Sequence, residues 1–203
     1  MCVSDSVEAA VSAAANRKDA GGTPAATAAF TLIELIVVIA VIVILAGLVL
    51  STVGYVQKKA ARSRAETEIA AMAAACESYK ADNGVYPAGS ATNTLDARTY
   101  LDPSDPAYSA ASLFLYERLM GVTSGNRSET PSGKTYFTFK PNMLLPAPPS
   151  TADVTAIRDP FGNSYGYSTI QATTGDSTKG YNPTFDLWST ANSTDPNQWV
   201  KNW

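Results

Sequence analysis

Glu34 is the residue whose placement most demands a chemical explanation. It stands five residues into FTLIELIVVIAVIVILAGLVL, residues 30–50, and no Lys or Arg occurs between Lys18 and Lys58. At bilayer depth an uncompensated carboxylate costs roughly 2.5–3.5 kcal/mol on insertion scales, so the chemistry on offer is charge pairing with a group from outside this helix. Catalytic chemistry is poorly provided for. The chain has no histidine, which removes the commonest general base and the commonest metal ligand. Its two cysteines, Cys2 and Cys76, cannot form a CxxC redox or zinc site. GKT at 133–135 lacks the first glycine of a phosphate loop, where Ser128 stands, and strand-like text follows it, so it reads as a turn. A net charge of -3 and a pI near 4.9 speak against nucleic acid as a partner. These features describe a non-enzymatic chain, long enough at 203 residues for one domain and an anchor.

The element carrying Glu34 must be a long helix. Residues 1–29 are rich in Ala, Gly, Thr and Pro without apolar periodicity, and read as a leader. The apolar run that follows reaches ~30 Å as a helix, the thickness of a bilayer core. The helical text continues past Leu50, where Ile69, Met72, Cys76 and Tyr79 share one face at spacings of three and four. Arg62 with Glu66 and Arg64 with Glu68 are i,i+4 pairs on the other face, and Asn83-Gly84 with Pro87 is a stop signal. One helix is therefore predicted from about Phe30 to Asp82. Its segment 30–54 is lipid-compatible, and the amphipathic remainder belongs to a soluble head over 55–203.

Beyond Tyr86 the composition changes, and all but one of the twelve prolines lie there. SAASLFLYERLMG (109–121) predicts a short helix. TYFTFK (135–140), SYGYSTI (164–170) and TFDLWS (184–189) have the aromatic and β-branched content of strands. PNMLLPAPPS and DPFGNS read as loop and turn. The expected fold class is α+β, a long N-terminal helix packed on a small antiparallel sheet through Ile69, Met72, Cys76 and Tyr79.

AFTLIELIVVIAVIVILAGL resembles the N-terminus of the type IV pilin superfamily, with Phe30, Thr31, Leu32, Ile33, Glu34 and Leu35 matching its pattern in order. YKADNGVYP (79–87) and DPFGNSYGY (159–167) are similar to the helix end and first sheet turn of type II secretion major pseudopilins, and the text from Phe185 to Trp203 is similar, more loosely, to their C-terminal loop. The resemblance implies a pilin-like fold and a prepilin peptidase that cuts between Ala29 and Phe30 and N-methylates the new amine. It implies a single-pass protein of the bacterial inner membrane with its head in the periplasm. Self-assembly into a helical filament, together with other pseudopilins and the inner-membrane secretion machinery, follows, with Glu34 meeting the Phe30 amine of the next subunit. Ala29 stands where the family has Gly, and Ser51 where it has a helix-breaking Pro, with Gly47 and Gly54 as alternative points of weakness. Lys58, Lys59, Arg62 and Arg64 after the span outnumber Arg17 and Lys18 before it, so a positive-inside count opposes the implied orientation.

The resemblance also implies calcium in the C-terminal loop WSTANSTDPN, held by oxygens of Leu187, Ser189, Asn192 and Asp195. The family's last acidic ligand falls on Trp199, which cannot coordinate, so Asp195 is left as the loop's carboxylate. The alternative is a loop held by Asx turns at Asn192 and Asp195 and by packing of Trp199 and Trp203. Two other functional classes fit the same text. One is a type IV pilin or minor pilin for adhesion or DNA uptake. The other is a monomeric membrane-anchored binding domain whose aromatic-rich head is the working part.

Overall fold

The computed structural model describes residues 30–203; the leader, with Cys2, Arg17, Lys18 and Ala29, lies outside the described residues. The chain divides into two compact units at Leu48/Val49. The helix α1 runs Leu32–Asn83, within two residues of expectation at each end. It continues through Gly47 and Gly54 without a break, and around either glycine an added methyl would meet open space. It stops as the sequence predicts: Gly84 takes φ 78° and its N–H closes on the Lys80 carbonyl at 2.8 Å, a left-handed C-cap that glycine adopts at little cost. From Phe30 to Val56 its large apolar side chains are exposed, and an 18-residue window is apolar enough to cross a membrane.

The second unit, Val49–Trp203, contains the core. On the amphipathic part of α1, Ala65, Ile69, Met72, Ala75 and Cys76 are buried, and Tyr79 is half-buried against the same cluster. They share that cluster with Leu115 and Leu119 of α2 (Pro106–Met120) and with residues of two small antiparallel sheets. In the first sheet, β1 (Leu144–Leu145) pairs with β2 (Ala156–Ile157), Leu144 opposite Ile157. The second has the order β3 (Gly166–Ser168), β4 (Asp186–Ser189), β5 (Val200–Lys201), with Tyr167 opposite Leu187 and Ser189 opposite Val200. A five-residue helix, α3 (Ile170–Thr174), follows β3.

Four local expectations need correction. Helix α2 begins at Pro106 rather than residue 109, because Asp105 caps it by accepting the Ala107 N–H at 2.8 Å and Pro106 occupies the first turn. TYFTFK forms no strand. Its Tyr136 and Phe137 N–H groups donate to the Leu119 carbonyl at the end of α2, at 2.8 and 3.1 Å, so these donors are spent on the helix end. SYGYSTI is strand only over Gly166–Ser168, since the Ser168 hydroxyl accepts the Ile170 N–H and turns the chain into α3. Conversely, part of the proline-rich loop text, Leu144–Leu145, is β1.

Gly166 shows why β3 needs its glycine. A Cβ there would lie 2.2 Å from Cε2 of Trp188, its partner across the strand pair. Gly166→Ala should therefore destabilise the head by about 1–3 kcal/mol through overpacking. Urea unfolding of the full chain in detergent, followed by tryptophan fluorescence, checks this; an unchanged midpoint contradicts the close approach.

Candidate functional site

Two regions hold the residues singled out from the sequence. At the start of α1, Glu34 is bonded to Thr31. The Thr31 N–H and hydroxyl both donate to Glu34 Oε2 at 2.8 Å, and the Glu34 N–H donates back to Thr31 Oγ1 at 3.3 Å. This is a reciprocal capping box, T-x-x-E, which satisfies donors of the first turn that lipid cannot. Charge alone does not reveal it, although Thr31 and Glu34 at that spacing immediately before an apolar run are its sequence signature. Phe30 is exposed beside them, and Ala29 lies outside the described residues.

The second region is the turn DPFGNS and the C-terminal loop. The Asp159 carboxylate is buried and fully engaged. Its Oδ1 accepts the Phe161 and Asn163 N–H groups at 3.0 and 2.8 Å, and its Oδ2 accepts the Ser189 hydroxyl at 2.5 Å. One side chain thus shapes the turn and ties it to β4. Burial pushes the Asp159 carboxyl above the usual carboxylate range, against the opposing hydrogen bonds from Ser189, Asn163 and Phe161. Asp186, also buried, is raised for the same reason, against the Tyr181 and Asn182 N–H groups that it accepts at 2.9 Å.

These bonds bear on the four residues expected to hold calcium. Ser189 is committed to Asp159. The Leu187 carbonyl accepts the Asn202 N–H at 3.2 Å, while the Leu187 N–H donates to Asn202 Oδ1 at 2.9 Å. Asn192 Oδ1 accepts from the Asn163 amide at 2.6 Å. Asp195 Oδ1 accepts both the backbone and side-chain N–H of Asn197 at 2.9 Å, an Asx turn that opens a short 3-10 turn. Among the described residues no three acidic, cysteine or histidine side chains gather as a metal-ligand group. Each of the four thus spends a polar group on a bond within the protein, whereas a calcium cage takes six to eight convergent oxygens. Aromatic packing holds the loop. Trp199 is buried and stacks on Trp188 with 6.2 Å between ring centroids, its Nε1 donates to the Ser193 carbonyl at 2.9 Å, and Trp203 meets Trp188 edge-on.

Comparison with protein-family models, curated proteins and solved structures returned no match.

Two measurements test these assignments. A raised Asp159 pKa means that the folded chain binds that proton more tightly than the unfolded chain. Its contribution to stability is present at low pH and is lost as pH rises from the unfolded value near 3.8 through the folded one. Asp159→Asn, which keeps an acceptor for the turn, should remove this share, at most about 1.4 kcal/mol per pH unit. The difference between the two denaturation profiles between pH 4 and 7 reads it; parallel profiles contradict a raised value. For the loop, Asp195→Ala should cost about 1 kcal/mol through the lost turn, equally in millimolar calcium and in chelator. A calcium-dependent rise in the wild-type melting midpoint that the variant lacks would show instead that the loop rearranges around an ion.

Proposed function

We propose that this chain is a filament-forming structural subunit of the type IV pilin kind, closest to a type II secretion major pseudopilin. In this reading a prepilin peptidase removes residues 1–29, and the mature protein is held in a bacterial inner membrane by residues 30–54, with its head in the periplasm. It polymerises into a pseudopilus that supports protein secretion. The observation that carries the proposal is an acid in the first turn of an apolar helix that continues into an α+β head: α1 runs from Leu32 to Asn83, with its first half exposed and apolar. Such an acid at bilayer depth calls for a cationic partner. The amine created on Phe30 by cleavage, offered by a neighbouring copy, supplies one. No nucleophile–base pair or metal step enters the mechanism. The chain contributes an apolar surface for lateral packing, one acid to set the register, and a head to face outward.

The Thr31–Glu34 capping box favours one other reading, a monomeric anchored head in which the acid serves only its own helix. Glu34→Gln separates the two, because Gln keeps the capping acceptor and loses the charge. Under the filament reading the variant inserts normally but assembles poorly, since breaking a buried ion pair costs ~3–5 kcal/mol. Filament yield at equal membrane level is the measurement, and wild-type yield supports the capping role alone. Processing is tested by intact mass of the membrane-extracted protein. A species beginning at a methylated Phe30 is expected, and a mature form that retains Arg17 and Lys18 excludes the cleavage.

A further inference from the structure

The four basic residues just past the apolar run are unexplained by filament assembly and oppose the orientation proposed above. Tyr55, Lys58, Lys59 and Arg62 follow one another at helical spacings of three, one and three, which puts them on one side of α1. They form one wall of a groove of about 570 Å³. The facing wall comes from the C-terminal loop, chiefly Asn192 and Ser193, with Phe161 completing the apolar part. Of the residues lining the groove three are basic and none is acidic, in a chain of net charge -3.

The cations differ in their freedom. Arg62 is fixed, donating to the Gln198 and Trp199 carbonyls at 2.7 and 3.2 Å and lying 3.6 Å from Glu66. Lys58 and Lys59 are exposed and make no salt bridge among the described residues. The opposite wall presents donors. The Asn192 carboxamide oxygen is taken by Asn163, which leaves its NH2 as the donor, and the Ser193 oxygen accepts the Asp195 N–H, which leaves its hydroxyl proton to give. Ala191 and Asn192 hold this wall in the left-handed region, at φ 51° and 59°, a conformation that costs a non-glycine residue energy and that clusters at ligand-binding segments. Along α1 the groove lies just past the apolar run. The exposed apolar run ends at Val56, and Lys58 follows about 3 Å further along the helix. A headgroup layer is roughly 5–8 Å thick on each side of the core.

We infer that this groove binds the phosphate of an anionic glycerophospholipid headgroup in the leaflet facing the head. Lys58 and Lys59 neutralise the phosphate, while Asn192 and Ser193 donate to its oxygens. Arg62 holds the loop wall against the helix, and Tyr55 lies at the interface as aromatic side chains do. A bound anionic lipid also offsets the cost of carrying these cations to the outer side. The inference rests on the membrane-anchored reading, but not on filament formation.

The test uses full-length protein dispersed in neutral detergent and native mass spectrometry, titrating short-chain phosphatidylglycerol, phosphatidylcholine and glycerol phosphate. Phosphatidylglycerol should bind in preference to the other two, and more weakly as salt rises. Lys58→Gln should weaken it about 5-fold and the Lys58→Gln/Lys59→Gln pair about 25-fold, with circular dichroism unchanged. Ser193→Ala should weaken it by a smaller factor. Equal binding of phosphatidylglycerol and phosphatidylcholine, or an unaffected double variant, overturns the proposal. Glycerol phosphate binding as tightly as the lipid assigns the groove to a soluble anion and also overturns it. So does a double variant that loses only self-association in phosphatidylcholine nanodiscs, which assigns the groove to a contact between copies. Because binding is read on dispersed subunits, absent lipid binding with normal filaments sinks this inference alone, and lipid binding without filaments sinks only the filament reading.

Discussion

Burial of one stripe of α1 is the constraint on which the head depends. The strands β1 to β5 are two to four residues long, too short to hold a sheet by ladder hydrogen bonds alone. What fixes them is the apolar face on which they close. Ile69, Met72 and Cys76 are almost wholly removed from solvent among Tyr165, Tyr167 and Leu187, and full burial of a Met or Ile side chain is worth about 1.5–3 kcal/mol. Cys76 illustrates the dryness of that contact. Its thiol is pushed up to about 12 by burial, so it behaves as a small apolar side chain and not as a nucleophile.

Polar groups then position what the stripe merely attracts. The Ser112 hydroxyl of α2 accepts the Ile157 N–H of β2 at 2.8 Å. The Ser168 hydroxyl donates to the Leu95 carbonyl at 2.6 Å, and the Tyr167 hydroxyl to that of Pro87 at 2.8 Å. These bonds join β3 to the long connection after α1, which carries little regular structure of its own. Asp159 and Ser189 do the same for the turn before β3 and the strand after it. In a head with so few ladder bonds, buried side-chain-to-backbone bonds substitute for sheet continuity, and each would leave a costly unpaired group if one partner were removed.

The legible parts of the sequence were those that report on a single element. The face carrying Ile69, Met72 and Cys76, the stop at Asn83-Gly84, the pairs Arg62–Glu66 and Arg64–Glu68, and β4 all express local periodicity or local turn chemistry, and all are present. TYFTFK was misleading because aromatic content measures a wish to be buried. Phe137 and Phe139 satisfy it by packing edge-on to each other at 4.7 Å without a sheet neighbour. Asp159 was invisible as a hub because its partner Ser189 lies thirty positions away. The same long-range bond redirects an oxygen that the loop text offers to a cation. The groove beside Lys58 and Lys59 was half legible: the basic run stands in the sequence, but the loop that faces it depends on tertiary closure.

Local satisfaction of Glu34 and an intermolecular role for it are compatible on stereochemical grounds. Both Thr31 donors fall on the same oxygen, Oε2. A carboxylate has two oxygens and about four lone-pair sites, so a capping box uses part of its capacity. In lipid the first-turn donors need an acceptor whether or not another copy is present, and Thr31 with Glu34 meets that need in the isolated chain. The negative charge is a separate matter, because hydrogen bonds to a hydroxyl and an amide spread it without cancelling it. A carboxylate oriented by its own helix is also the better partner for a cation, since holding the side chain in one rotamer has already been paid for before the two chains meet. Under the filament proposal the capping box therefore prepares the acid for pairing, and the residual charge is what a neighbouring copy's amine would offset.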